Sequence, residues 1–291
     1  MSRRHRIWGE VADGQWRRMT ITNTARAVVR VSKEISTFFR DEAIRSGLVP
    51  GRLPTYWFKR TMNLGDQLSP AILRWVSGKR SIWVSKKYRG KILGVGSILG
   101  ALAKGDVVWG AGSIRGESIE PPSEVKFLAV RGPLTRDLIR GDVPAVYGDP
   151  VLLLPRFHTL TMAERHAVGV IPHYVDRPFV DISDPEILLI DVRERWEKVV
   201  ADILSCELIL SSSLHGLIVA EAYGIPAAWI KVTDRVVGGN FKFDDYYLST
   251  GRDRRQPIHW DRGIEEAIRY IAPPIVFDPQ PLLDAAIGLS I

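Results

Sequence analysis

The sequence predicts an α/β protein with two parallel sheets whose strand ends face each other across a cleft. Short apolar runs alternate with segments of helical spacing through most of the 291 residues, a pattern typical of parallel sheets covered by helices. Glycine-rich or polar turns follow many of the apolar runs. A polar segment at 155–166 divides the pattern into two series, which indicates two halves of similar build.

The first series, 51–155, follows an amino-terminal part of different character. Residues 1–23 form an arm rich in Arg and Trp, and 23–46 has the apolar spacing of a helix that ends before Gly47. Helices are then predicted at 67–76, where Asp66 or Ser69 is the expected cap, and at 133–140. The predicted strands of this half are 53–58, 81–84, 91–94, 106–109 and 125–130.

The second series, 165–255, repeats the alternation. A helix over 214–223 follows a serine-rich turn, and the hydroxyl of Ser212 or Ser213 is expected to cap it. The other predicted elements are strands at 168–171, 187–190, 207–210 and 227–230 and a helix at 193–205. We therefore predict Rossmann-like domains at 51–155 and 165–255, preceded by the arm and helix (1–50) and followed by a helical tail (256–291).

Composition limits the class of partner. The net charge of +7 and the pI of about 9.6 favour an anionic partner. Basic residues are dispersed and aromatic residues lie inside apolar segments, which argues against nucleic acid. The lone Cys206 excludes an internal disulfide and a multi-cysteine metal site, and no metal is predicted. With no apolar run near 20 residues and no signal-peptide core, we expect a cytoplasmic protein. The basic arm leaves peripheral contact with the inner face of a membrane open.

Ligands of parallel sheets bind at the carboxyl ends of the strands. In the first half this edge carries the turn NLGD with Asn63, Gly65 and Asp66. It also carries the turn GAGS with Gly112 and Ser113, and Arg131 of the RGP motif. Asp66 is either a helix cap or a group that orients or deprotonates a hydroxyl. Arg131 binds a phosphate or forms a salt bridge across the cleft, and the glycine turns contact ligand or pack closely.

In the second half, His173 and His215 follow strands and could share one site. Two histidines without a third ligand suit phosphate contact or proton transfer better than a metal. Ser212 and Ser213, with the helix amino terminus beside them, form a candidate anion site. Lys242 and Arg252 follow a flexible Gly-Gly pair and are either anion contacts on a mobile loop or solvated charges. Neither G-x-G-x-x-G, nor a Walker lysine, nor G-x-S-x-G occurs.

Taken in order, the segments NLGDQLSP, GVGS, WGAGS, AVRGPLT, YGDPVLLLP, PHY, SSSLHGLIVAEAYGIP and FKFDDYY resemble the polysaccharide pyruvyl transferase family. The sequence is most similar to members that act in exopolysaccharide (succinoglycan-type) biosynthesis. The resemblance covers about residues 57–252. It implies a two-domain fold similar to that of GT-B glycosyltransferases, with the acceptor on the first domain and the donor on the second.

The resemblance also implies the reaction. The pyruvyl group of phosphoenolpyruvate (PEP) is transferred to a sugar of an exopolysaccharide or its lipid-linked precursor, giving a cyclic pyruvate ketal and phosphate. PEP is then a co-substrate, and no cofactor is expected. Arg131 and His215 match positions for PEP binding and catalysis, and Ser212 and Ser213 match those that hold its phosphate or carboxylate. The NLGD turn matches the acceptor side.

One position departs from the family pattern. A serine stands where many members carry an arginine shortly before Leu-His-Gly, and Lys242 or Arg252 is the expected replacement. Two alternatives remain open at this point: a GT-B glycosyltransferase that uses a nucleotide sugar, and a non-catalytic polysaccharide-assembly protein.

Overall fold

The computed structural model describes residues 34–47, 49–160, 166–272, 275 and 277–289. The chain divides into two compact units, Met1–Pro50 and Gly51–Ile291. In the first unit, residues 34–45 are helical (α1). The predicted arm at 1–23 and the beginning of the helix predicted at 23–46 lie outside the described residues. Both sheets belong to the second unit, and the boundaries of the two predicted domains within it stay a prediction.

Five parallel strands form the first sheet, in the order β2-β1-β3-β4-β5. They are β1 (Arg52–Tyr56), β2 (Arg80–Trp83), β3 (Ile92–Leu93), β4 (Val107–Trp109) and β5 (Lys126–Ala129). The helices of this half are α2 (Leu64–Ser77), α3 (Pro133–Leu138) and α4 (Leu154–Phe157). All five strands fall where the sequence predicts them, most of them shorter by one or two residues.

Five parallel strands also form the second sheet, in the order β10-β9-β8-β6-β7. They are β6 (His166–Ile171), β7 (Ile187–Leu189), β8 (Cys206–Ser211), β9 (Ala227–Lys231) and β10 (Ile258–His259). The helices are α5 (Trp196–Leu204), α6 (Leu214–Ala222), α7 (Phe241–Ser249), α8 (Ile264–Ile268) and α9 (Gln280–Ala285). The two-residue strand β10 has no sequence prediction, because it is too short to show a pattern.

One apolar core connects the two sheets. Helix α6 is buried along eight consecutive residues, Leu214 to Glu221, so it packs on all sides rather than presenting one apolar face. Its neighbours in the core include Leu68 of α2 and Val151 of the turn after the first sheet. The α/β class with two parallel sheets is thus confirmed, and the GT-B arrangement stays a prediction.

Two local predictions were wrong, and a third, the cap of α6, is confirmed in position only. Asn63, not Asp66 or Ser69, occupies the amino-terminal cap position of α2, and Asp66 instead accepts a hydrogen bond from the Phe58 amide at 3.2 Å. Ser213 occupies the cap position of α6, but its hydroxyl makes no capping bond. Residues 241–249 form a helix rather than a mobile loop, because Phe243, Tyr246 and Tyr247 are buried along one side. Lys242 therefore lies in the first turn of α7.

Candidate active site

A cavity of about 280 Å³ opens where the carboxyl ends of the two sheets meet. Phe58 and Ser97 line it from the first half, following β1 and β3. His173 and Ser213 line it from the second half, following β6 and β8. Six of the residues singled out in the sequence line this one cavity: Asn63, Asp66, His173, Ser213, His215 and Lys242.

His215 is held by residues from both halves. It lies in the first turn of α6 and is 9% exposed. Its Nε2 atom is 3.5 Å from Oδ2 of Asp149, and neither atom has a hydrogen bond within the described part of the chain. Gly65 packs against the ring so closely that a Cβ atom there would overlap the imidazole. The ring is therefore fixed between the backbone of α2 and a buried carboxylate.

Asp66 lies beside His215 and has a shifted pKa. Burial raises the pKa of this carboxyl from 3.8 to about 6, and the positive charge of His215 and the bond from the Phe58 amide oppose the rise. A carboxyl group with such a pKa can both release and accept a proton near neutral pH. Beside it, the amide oxygen of Asn63 is buried and has no hydrogen-bond partner among the described residues. The Asn63 side-chain oxygen can therefore accept a hydrogen bond from a hydroxyl group of a ligand.

His173 is held as a neutral ring. Burial lowers its pKa to about 3, and the positive charges of Lys242 and His215 add to the effect. Its backbone amide donates to the Ser212 hydroxyl at 2.8 Å, and that hydroxyl donates to Asp176 at 2.7 Å. Ser212 therefore holds the loop after β6 in place, while Ser213 lines the cavity. A neutral imidazole at this position is a hydrogen-bond donor or acceptor, not a charge for binding anions.

Lys242 supplies a buried positive charge to the cavity. It is 7% exposed, and its ammonium forms no hydrogen bond or ion pair within the residues that the structure describes. Burial lowers its pKa to about 8, with repulsion from Arg131 adding and the charge of Asp176 opposing. Near neutral pH the group is thus a cation without a counter-charge in contact, which is the situation an anionic ligand relieves.

Arg131 lies behind the cavity rather than on its wall. Its side chain is fully buried and pairs with Asp245 of α7, with Nε and Nη2 both 2.9 Å from Oδ2. Nη1 donates to the hydroxyl of Ser97 at 2.6 Å, and Nη2 donates to the carbonyl of Ser113 at 2.7 Å. Of the two readings left open for Arg131, the structure shows the salt bridge across the two halves. A direct contact with substrate stays a prediction.

The GAGS turn serves the same network. Gly112 packs against the guanidinium of Arg131, and a Cβ atom at this position would overlap it. The amide of Ser113 donates to Thr135 at 3.1 Å, and its hydroxyl donates to the carbonyl of Arg115 at 2.7 Å. Gly112 and Ser113, both predicted site residues, thus contact Arg131 and do not line the cavity.

Arg252 lies at a different place in the second half. It forms two hydrogen bonds with Glu221 of α6, at 2.6 and 2.9 Å, and lies over the ring of Tyr247 at 4.6 Å. Glu221 is 3% exposed, so the arginine balances a buried carboxylate. Arg252 was predicted to contact an anionic ligand. In the structure its guanidinium instead pairs with Glu221. Of the two predicted cations, Lys242 lines the cavity and Arg252 does not.

Three buried acids of the site were not singled out in the sequence: Asp149, Asp176 and Asp245. Asp149 carries a visible signal, because it stands in YGDP directly before the apolar run at 151–154. An acid at the edge of a buried segment needs a partner. Asp245 stands between Asp244 and two tyrosines, where only the helical spacing of 241–249 would place it on the buried side.

No three His, Cys, Asp or Glu side chains in the described ranges are arranged to hold a metal ion. In the same ranges, no helix is long and apolar enough to cross a membrane.

Comparison with known proteins points to one family. Residues 122–234 match the family described as polysaccharide pyruvyl transferase. The protein described as succinoglycan biosynthesis protein ExoV, from Rhizobium meliloti (strain 1021), is 29% identical over 225 residues, which are 70% of this chain and 68% of that protein. "Uncharacterized protein L143" of Acanthamoeba polyphaga mimivirus is 28% identical over 218 residues, 69% of this chain and 75% of that protein. No solved structure matches significantly.

The matched segment, 122–234, contains Arg131, Asp149, His173 and His215. Two of these residues line the cavity, and Asp149 contacts one of them. The match to ExoV agrees with the resemblance seen in the ordered motifs. The chain is thus similar to the polysaccharide pyruvyl transferase family over residues 122–234 and to ExoV over 225 residues.

Proposed function

We propose that the protein transfers the pyruvyl group of PEP to a sugar of an exopolysaccharide or its precursor, forming a cyclic ketal and releasing phosphate. The family supports the wider class, a transferase that modifies polysaccharides. The observation that supports pyruvyl transfer in particular is that Lys242, His215 and Asp66 line the same cavity. The reaction needs all three kinds of group: a cation, a proton donor and a proton acceptor.

PEP carries a phosphate and a carboxylate, so its site must balance several negative charges. Lys242 supplies one full positive charge at neutral pH. The amino terminus of α6 adds backbone N–H groups and the positive end of the helix dipole beside Ser213. Arg131 contributes indirectly, because it donates to Ser97 on the cavity wall and pairs with Asp245 of α7. PEP enters as a co-substrate, and no further cofactor is required.

The chemical steps follow from these groups. His215, protonated, gives its proton to the methylene carbon of PEP, which becomes a methyl group and leaves C2 electron-deficient. A sugar hydroxyl attacks C2 and transfers its proton to Asp66, whose pKa of about 6 suits a base near neutrality. A second hydroxyl displaces phosphate at C2. One hydroxyl proton replaces that given by His215, and the other leaves with hydrogen phosphate.

The acceptor enters on the side of the NLGD turn. Asn63 offers an amide oxygen that forms no hydrogen bond with the described residues, and Asp66 lines the same cavity. Both can hold a sugar hydroxyl near C2, and the aromatic ring of Phe58 lines the same wall. Because PEP is an intracellular metabolite, the proposed reaction takes place on the cytoplasmic side, where a lipid-linked acceptor would bring the protein to the inner face of the membrane.

The first test is ligand-induced thermal stabilisation with PEP, UDP-sugars and GDP-sugars, followed by phosphate release from PEP in the presence of candidate acceptors. We expect PEP alone to raise Tm in the wild type, and Lys242→Met to abolish the rise. Lys198→Met is the matched control, because Lys198 pairs with Asp202 on an exposed turn of α5. A rise with a nucleotide sugar alone would overturn the proposal in favour of glycosyl transfer. No response with any ligand, including PEP with acceptor, would favour a non-catalytic role.

A further inference from the structure

We infer that Asp149 is a positioning residue for His215, and that it assigns Nδ1 as the nitrogen that exchanges the proton with substrate. This inference rests on the proposed function, in which His215 is the acid. It starts from two buried polar atoms, Asp149 Oδ2 and His215 Nε2, which lie 3.5 Å apart and form no hydrogen bond with any described residue. Leaving both unsatisfied is costly, so a small approach that forms one hydrogen bond is favourable.

Asp149 is suited to this role because its other oxygen is already fixed. Oδ1 accepts the backbone amide of Val151 at 3.0 Å, which sets the plane of the carboxylate at the start of a buried turn. The side chain is fully buried and does not line the cavity. Asp149 can therefore contact His215 but not a PEP molecule bound in the cavity.

The consequence for His215 is a defined orientation of protons. A carboxylate at Nε2 keeps a proton on that nitrogen, in both the neutral and the charged ring. Nδ1 forms no hydrogen bond in the described part of the chain, and it lies on the ring of a residue that lines the cavity. Nδ1 is thus the atom whose proton comes and goes, while Nε2–H stays directed at Asp149.

Other charged groups around the ring do not replace Asp149. Asp66 and His173 both interact electrostatically with His215, and Lys242 interacts in the same way with His173. Asp66 must change its own protonation during the reaction, so it cannot act as a constant negative charge. Asp149 is the carboxylate that contacts Nε2. It comes from the first half, whereas His215 comes from the second.

Asp149→Asn is the direct test, because the Val151 amide dictates how the new side chain is oriented. The amide oxygen must stay at Val151, which turns the NH₂ group towards Nε2. That nitrogen then becomes an acceptor, and the ring proton moves to Nδ1. We expect kcat with PEP and acceptor to fall by about 100-fold to 10,000-fold, the range for loss of a general acid. KM for PEP should change far less, since Asp149 does not line the PEP site.

Two readouts separate this inference from the proposed function. ¹⁵N NMR of the neutral His215 ring, assigned by comparison with His215→Gln, should show Nε2–H in the wild type and Nδ1–H in Asp149→Asn. Asp106→Asn is the control, because Asp106 is a buried acid of the same half that pairs with Lys91 away from the cavity. This variant should lose stability but keep the tautomer and kcat.

Failure of each idea looks different. A wild type that does not turn over PEP refutes the proposed function, while the tautomer still decides the role of Asp149. An Nδ1–H tautomer in the wild type overturns the inference even if Asp149→Asn does not fold. An Asp149→Asn enzyme with unchanged kcat overturns it as well.

Discussion

Arg131→Met separates the two roles open to Arg131, support of the site and direct binding of substrate. The substitution keeps most of the side-chain volume and removes the charge. It breaks the buried pair with Asp245 and the bonds to Ser97 and the Ser113 carbonyl. Removing one partner of a buried ion pair costs about 3–5 kcal/mol. Asp245 keeps two donors from Thr135, at 2.8 and 2.6 Å, so we expect about 3 kcal/mol.

This loss is large enough to measure by thermal unfolding. At about 2.1 cal/mol/K of unfolding entropy per residue, each kcal/mol lowers Tm of this 291-residue chain by about 1.6 °C, so Tm should fall by about 5 °C. Arg193→Met is the control, because Arg193 is 49% exposed and its pair with Asp191 contributes less than about 1 kcal/mol. Adding Asp245→Asn to Arg131→Met should restore part of the loss, since a neutral amide needs no cation. A Tm within about 2 °C of wild type, together with loss of the PEP-induced rise, would refute the supporting role and favour direct binding.

Three further predictions concern the cavity. The pKa of Asp66 is raised from 3.8 unfolded to about 6 folded, so its contribution to stability is present below pH 4 and is lost as pH rises through 6. Asp66→Asn should abolish phosphate release and raise the free energy of unfolding above pH 6 by up to about 3 kcal/mol; equal urea midpoints at pH 7 would contradict this. Gly65→Ala should displace the His215 ring and lower kcat, whereas Gly100→Ala, with open space around it, should leave kcat unchanged. Lys242 has a pKa of about 8, so PEP affinity measured by calorimetry should weaken above pH 8; a flat profile from pH 7 to 9.5 would exclude Lys242 as the phosphate or carboxylate contact.

The sequence was sufficient to predict the two sheets and the edge at which the site lies. Strand positions follow from short apolar runs, and parallel pairing brings their carboxyl ends to one edge. Asn63, Asp66, His173 and His215 meet in one cavity for that reason, although 152 positions separate the first from the last. Proximity in this fold is set by topology, which the alternating pattern encodes.

The partners of the charged residues could not be predicted in the same way. Arg131 and Asp245 are 114 positions apart and belong to different halves. Local spacing shows that an arginine follows a strand, but it carries no information about which acid the other half presents. The same limit explains Arg252, whose partner Glu221 is buried near the carboxyl end of α6. Helix 241–249 was missed because its polar residues suggested a loop, whereas its aromatic residues pack into the core.

The position of His215 shows why these cross-half contacts matter for function. Its backbone belongs to α6 of the second half, but Gly65 and Asp149 of the first half confine its ring. Lys242 lies on α7, and Asp245 of the same helix pairs with Arg131 of the first half. The proposed proton donor, His215, and the proposed anion-binding cation, Lys242, thus each depend on contacts with the opposite half. Perturbing the boundary between the halves should therefore impair proton transfer and PEP binding together, although neither Arg131 nor Asp149 lines the cavity.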